Sequence, residues 1–202
     1  MPEQLHNNYI THDKIIGLVD VSQEIVEKNS VTYGDVLFQR SSETREEVGT
    51  ANVYLDKDNV ATFGGFIIRG KKIGEYDPIF INKLLKTDLS RKEITSKSGG
   101  STRYNVGQDT LSEITLPFPS LPEQQKIADF LSKVDEKIEK LTKKKELLEQ
   151  YKKGVMQKIF SQELRFKDDN GNDFPEWEEK ELNSIINKII DNRGKTPPIE
   201  KE

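Results

Sequence analysis

The pattern of apolar and polar positions changes character twice along this chain. Up to about residue 118, short apolar runs are broken by glycines and polar turns, which predicts a mixed α/β segment. Val31-Thr32-Tyr33 leads through Gly34-Asp35 into Val36-Leu37-Phe38, a turn feeding a short buried strand. Ala51-Asn52-Val53-Tyr54-Leu55 alternates like a half-buried strand, and Ala61-Thr62-Phe63 and Phe66-Ile67-Ile68-Arg69 read as strands around Gly64-Gly65. Asp77 to Leu85 reads as a short helix with Ile79, Phe80, Ile81, Leu84 and Leu85 apolar. Ser98-Gly99-Gly100-Ser101 reads as a flexible loop, and Leu111, Ile114 and Leu116 as a last packed segment before the prolines.

From about Pro122 to Phe160 the period becomes helical. Ser120 and Glu123 match a capping box, and Pro122 falls in the first turn, where its missing N–H costs little. Apolar residues recur at Ile127, Leu131, Val134, Ile138, Leu141, Leu148, Val155 and Ile159, with Lys145 and Lys152 interrupting the seam and charges on the other faces. That is a coiled-coil stripe. At ~1.5 Å per residue the helix would run on the order of 55–60 Å. A stripe of that length needs a second helix, and with only one long helix present the partner expected is a second chain. Asp168-Asp169-Asn170-Gly171-Asn172-Asp173 is a polar turn or linker. A second helix is expected from about Pro175, with Leu182, Ile185, Ile186, Ile189 and Ile190 on one face, stopped by Gly194-Lys195-Thr196-Pro197-Pro198.

Composition narrows the function classes. The 202 residues are 33% hydrophobic and 33% charged, polar for one compact globule and suited to an elongated molecule. The net charge of -4 means that any nucleic-acid reader here must cluster its basic residues locally. Without cysteine there is neither a disulfide nor a thiolate metal site, and His6 and His12 are too isolated for a zinc site, so no metal is expected. No apolar run approaches the ~20 residues of a membrane span and no signal peptide is visible, which predicts a cytoplasmic chain with no membrane contact.

Catalytic motifs fail on inspection. Gly194-Lys195-Thr196 has the end of a phosphate-binding loop, but the earlier glycine falls at Ile189 and a helix precedes it. Asp77-Pro78-Ile79-Phe80 lacks the second proline of a methyltransferase tetrapeptide and reads better as a helix start. Asp135-Glu136-Lys137 reads as a solvated helix face, and no nucleophile–base arrangement can be assembled. Three polar loops carry the side chains that read nucleic acid: Gln39-Arg40-Ser41-Ser42 with Arg45; Lys71-Lys72; and Ser101-Thr102-Arg103-Tyr104-Asn105 beside two glycines. Arg and Gln suit guanine and adenine edges, and Lys suits phosphate. Ordinary exposed loops have the same composition, so this remains an alternative. Lys143, Lys144 and Lys145 are open to phosphate contact or to a solvated face.

Pro117-Phe118-Pro119-Ser120-Leu121-Pro122-Glu123-Gln124-Gln125-Lys126-Ile127-Ala128, at the mouth of the long helix, resembles the conserved helical region of the DNA specificity subunit of type I restriction-modification systems. Tyr33-Gly34-Asp35-Val36-Leu37-Phe38 resembles the Gly-Asp-(Ile/Val)-Leu element of that family's target recognition domain, and Ser101 to Asn105 its loop before the last strand. The resemblance implies a noncatalytic subunit that reads one half of a bipartite duplex DNA site per recognition domain. It also implies methylation and restriction subunits as partners, which carry S-adenosylmethionine, ATP and Mg, with no cofactor in this chain. The fold expected is α+β: a target recognition domain over 1–119 that is expected to be incomplete at its N-terminus, a coiled-coil helix over 120–161, a linker over 162–173, and over 174–202 the opening of a next recognition domain. A full subunit has two recognition segments and two long helices. Here one of each is expected, as in a half-subunit whose two copies pair their helices antiparallel, each tail completing the other's domain. The competing class is an assembly scaffold, or a truncated remnant, that binds methylation subunits without reading DNA.

Overall fold

The computed structural model describes residues 9–17, 19–100, 103–190 and 193. It is an α+β chain with two compact units, one up to Leu141 and one from Thr142 on. The first unit is organised by strands β1 (Val36–Gln39), β3 (Ala51–Val53) and β4 (Ile67–Gly70), in the order β3-β1-β4 with both pairings antiparallel. A two-residue strand β2 (Ser41–Ser42) pairs with β5 (Tyr104–Asn105) in a separate ribbon.

Strand alternation explains why this small sheet is apolar on both faces. Successive side chains point to opposite sides. Val36, Val53 and Ile68 enter a core with Val48, Ala51, Ile81, Leu85, Ile94 and Val106. Their neighbours Leu37, Tyr54 and Ile67 enter a second core with Ile10 and Val31. Helix α2 (Pro78–Leu84) covers the first face, and α1 (Gln23–Asn29), α3 (Asp88–Ser96) and α4 (Gln108–Ser112) complete the unit. The expected helix start is present: the Asp77 carboxylate accepts the N–H groups of Ile79 at 2.9 Å and Phe80 at 2.8 Å, with Pro78 at the first position. Within α2, buried Asn82 accepts the Val53 N–H at 2.9 Å, satisfying a donor on an edge strand that the helix hides from water.

The Gly-Asp step before β1 is a clasp. Gly34 has φ +91, and a Cβ there would lie 2.6 Å from the Lys72 side chain. Asp35 is 1% exposed, and its carboxylate accepts from the Thr32 N–H at 3.0 Å, the Thr32 hydroxyl at 3.3 Å and the Lys72 N–H at 2.8 Å. Tyr76 donates to the Gly34 carbonyl at 2.7 Å. Burial, with Asp35 nearby, pushes the Tyr76 phenol up to about 12. A raised folded value favours the neutral phenol, so its contribution is whole below the unfolded value of ~10 and is lost as pH rises toward 12. Between pH 10 and 12, denaturation midpoints of the native chain should therefore fall more steeply than those of Tyr76→Phe. Parallel slopes would mean that the phenol titrates as it does unfolded.

Helix α5 (Leu121–Phe160) runs 40 residues, and its first turns dock on the first unit. Its start is fixed by the Ser120 carbonyl, which accepts the Glu123 and Gln124 N–H groups. Gln124 is 3% exposed; its side chain accepts the Asp77 N–H at 3.1 Å and donates to the Pro119 carbonyl at 2.9 Å. Ala128 is buried beside it, and Phe118 meets Phe80 edge to face at 5.8 Å. Asp135, expected on a solvated face, is paired with Lys83 of α2. Near that pair, burial and then the Lys83 charge hold the Lys86 amine down at about 8, against the pull of Asp135.

Several local expectations need correction. Ala61 makes only an isolated bridge to Val31, so residues 61–63 are not a strand. In the loop expected to be flexible, Gly99 is held, exchanging backbone bonds with Asn105 at 3.0 and 2.7 Å, while Ser101 lies outside the described residues. The helix expected from Pro175 is reduced to one turn, α6 (Leu182–Ile185). Residues 174–181 are not helical, and Arg165 holds the start of the stretch, taking the carbonyls of Phe174 and Pro175 at 3.0 and 2.6 Å and pairing with Glu176 at 2.8 Å. Trp177 packs edge to face on Phe160 at 6.1 Å, which also holds this stretch extended. The polar turn at Asp168 closes a short hairpin: Lys167 bridges Asp173, and Asp168 accepts the N–H groups of Asn170 and Asn172. Gly194 to Pro198 lie outside the described residues.

Candidate nucleic-acid interface

The fold brings together two of the three polar loops. Arg40 follows β1 and is gripped by its backbone from both sides. Its N–H donates to the Phe66 carbonyl at 2.8 Å, and its carbonyl accepts the Val106 N–H at 3.0 Å. The next residues, Ser41 and Ser42, pair with Asn105 and Tyr104, so the 39–42 and 103–105 segments lie side by side. The loop from Glu43 to Glu47 reaches the same place. Arg103 faces Glu43 at 3.5 Å, and Arg45 donates to the Thr95 carbonyl at 3.1 Å, just before the glycine loop. Glycine is required at position 100, where φ is +125 and a Cβ would fall 1.8 Å from the Arg103 carbonyl oxygen.

Within this cluster the residues divide by role. Arg40, Arg103 and Asn105 are exposed; Ser41 is half-buried. Asn105 donates back to the Arg103 carbonyl at 3.0 Å, which shapes the loop tip. Ser42 is buried; its hydroxyl donates to Glu47 at 2.9 Å and accepts the Thr44 N–H at 3.3 Å, holding the loop rather than facing out. Gln39 donates to the Ser41 carbonyl at 3.0 Å, and Tyr104 packs its ring against the main core. Ser101 and Thr102 lie outside the described residues.

The third loop is elsewhere. Lys71 and Lys72 follow β4, whose last residue, Gly70, pairs with Val36, whereas Arg40 follows Gln39 at the opposite end of β1. Lys71 is exposed. Lys72 is turned inward, with its N–H on Asp35 and its amine on the Tyr76 carbonyl at 3.3 Å and over the Tyr76 ring at 4.8 Å.

The long-helix stripe is also uneven. Ile127 and Leu131 are half-buried, Val134, Ile138, Leu141 and Leu148 are exposed, and Val155 and Ile159 are half-buried. Phe130, Leu147, Tyr151 and Met156 add exposed apolar surface that a strict heptad count passes over. Sequence reasoning also missed Phe66, exposed at a Gly-Gly turn beside Arg40, and Gln124, whose doubled-glutamine setting was legible only as a motif. Among the described residues no helix is long and apolar enough to cross a membrane.

Comparison with known proteins adds the lineage. The model of the type I restriction modification DNA specificity domain matches residues 3–150. A Methanocaldococcus jannaschii protein carrying the name of the MjaX type I restriction enzyme specificity subunit is 29% identical over 97% of this chain and 47% of its own length. The MjaIX specificity subunit of the same organism is 32% identical over 66% of this chain and 33% of its own length. The StySPI specificity subunit of Salmonella potsdam is 27% identical over 84% of this chain and 37% of its own. This chain thus spans about half, or less, of the length of these relatives. The domain match takes in the three-stranded sheet, the β2–β5 ribbon and the docked start of α5, and the chain belongs to the type I restriction modification DNA specificity domain family.

Proposed function

We propose that this chain is a noncatalytic, sequence-reading DNA subunit of a type I restriction-modification complex, directing the chemistry of methylation and restriction subunits to a bipartite site. The observation that carries the reading is the β2–β5 ribbon. It sets Ser41 directly opposite Asn105, with Arg40 and Arg103 immediately beside the ribbon and the Arg40 backbone held at both its N–H and its carbonyl. Guanidinium and amide groups held this way are suited to base edges, and a rigid backbone gives them the register that readout needs. The Arg103–Glu43 pair is exposed on both sides, so a phosphate or guanine can displace the carboxylate at little cost.

The exposed stripe of α5 supports a second element of the reading: two copies pair these helices antiparallel and present two recognition units to a two-fold symmetric, split site. The exposed Trp177, Leu182, Ile185, Ile186, Ile189 and Ile190 of the tail then offer apolar surface to the partner copy.

Selection of duplexes from a random pool by the full chain tests this. The expected outcome is enrichment of a split, two-fold symmetric sequence. Arg40→Ala should weaken binding to that sequence by about one to two orders of magnitude, the worth of one bidentate base contact, with a smaller effect on random duplex. Salt-sensitive binding with no enrichment would leave general electrostatics only. Absence of DNA binding together with capture of a methylation subunit would favour the scaffold role.

A further inference from the structure

We propose that Phe66 is a specificity residue whose ring packs against the C5-methyl of a thymine in the recognised sequence; the inference rests on the DNA-reading function above. Phe66 is 74% exposed. It is not on a loose loop. The Ile67 N–H donates to the Gly64 carbonyl at 3.0 Å and closes a tight turn with Gly65 and Phe66 at its centre. A Cβ added at Gly64 or Gly65 would meet nothing within 4 Å, so this turn stands clear of the rest of the unit. On the other side the Phe66 carbonyl accepts the Arg40 N–H at 2.8 Å, and Ile67 is in register with Gln39. The ring is therefore displayed from a backbone position as fixed as that of Arg40, directly beside it.

The surroundings choose the occupant. A protein-docking site would surround an exposed phenyl with other apolar side chains. Here the backbone bonds bring close two glycines, Arg40 and, through the Arg40 carbonyl, Val106 just after the strand that carries Asn105; the apolar groove lined by Val60, Ala61 and Phe63 reaches Gly64 but is not lined by Phe66. An exposed apolar ring on a glycine turn, bonded through its backbone to Arg40, matches the chemistry of a major-groove edge. There a methyl is the one apolar feature that marks a base, and the remaining features are donors, acceptors and phosphate.

The test uses the duplex that the full chain enriches. Each thymine is replaced in turn by deoxyuridine, which keeps base pairing and removes only the methyl. At one position of each half-site the native chain should lose about fourfold in affinity, the effect of a single buried methyl. Phe66→Ala should bind the thymine and deoxyuridine duplexes equally, both more weakly than the native chain binds thymine, and Phe66→Leu should restore part of the difference. Circular dichroism should be unchanged, since the side chain is outside both cores. If the native chain enriches a sequence but Phe66→Ala discriminates against deoxyuridine at every position as the native chain does, the assignment to Phe66 fails while DNA reading stands. If capture of a protein partner, and not DNA affinity, is what Phe66→Ala loses, the ring serves a protein surface and the inference is overturned. If the native chain enriches nothing, the DNA-reading function itself has failed, and this inference falls with it.

Discussion

Glutamate at both Ile138 and Leu148 is expected to leave monomers in solution and to weaken binding to a duplex with two half-sites by roughly 10²–10⁴-fold. Both side chains stand on the α5 stripe, 57% and 56% exposed. In an antiparallel pair each would be buried against its counterpart, and burying an unpaired carboxylate in an apolar seam is among the most costly single changes available. The loss of DNA affinity follows without any altered base contact. When two recognition units are joined, the second half-site binds at a high effective concentration, and separating the units removes that advantage. Two measurements check this together: solution mass by light scattering, and titration with duplexes carrying one or two half-sites. A single half-site should bind the variant and the native chain alike. Should the native chain prove monomeric at micromolar concentration, with the variant binding both duplexes as it does, the stripe serves another partner.

Asp35→Ala should destabilise the first unit by about 3 kcal/mol, with a fall in melting temperature of roughly 10 °C. The carboxylate is 1% exposed and accepts three donors from two separate stretches, Thr32 before the turn and Lys72 after β4. Alanine leaves the Thr32 and Lys72 N–H groups without their acceptor inside the fold, and the Gly34 turn loses the clasp that orients β1. Because Arg40 lies at the far end of the same strand, the ribbon should loosen as well. Thermal unfolding followed by circular dichroism gives the magnitude. A shift within a degree or two would mean that water replaces the carboxylate and that the turn is held by Gly34 and Tyr76 alone. Asp35→Asn, which keeps one acceptor oxygen, should lie between.

These effects separate what pattern can announce from what packing decides. The long helix, the helix start at Asp77, the Gly-Asp turn into β1 and the signature at Pro117 to Ala128 were all legible, because each rests on local chemistry: a period, a cap, a left-handed glycine, a proline in a first turn. The three polar loops were legible as composition, but their division was not. Strand pairing between β2 and β5 joins the Arg40 and Arg103 loops, whereas antiparallel register sends Lys71 to the other end of β1. Whether a polar side chain faces out also depends on partners distant in sequence. The Lys72 amine turns inward to the Tyr76 carbonyl while its backbone N–H is taken by Asp35, and Ser42 turns to Glu47. The tail shows the same limit from the other side: its isoleucines have helical spacing, yet Arg165 holds the carbonyls at 174 and 175, Trp177 packs on Phe160, and among the described residues of the tail only Leu182–Ile185 coils. Propensity and periodicity act within a turn or two of chain and could be read directly. Register, capture of backbone groups by remote side chains and the exposure of a ring such as Phe66 are set by contacts between segments far apart in sequence, and only the folded arrangement decided them.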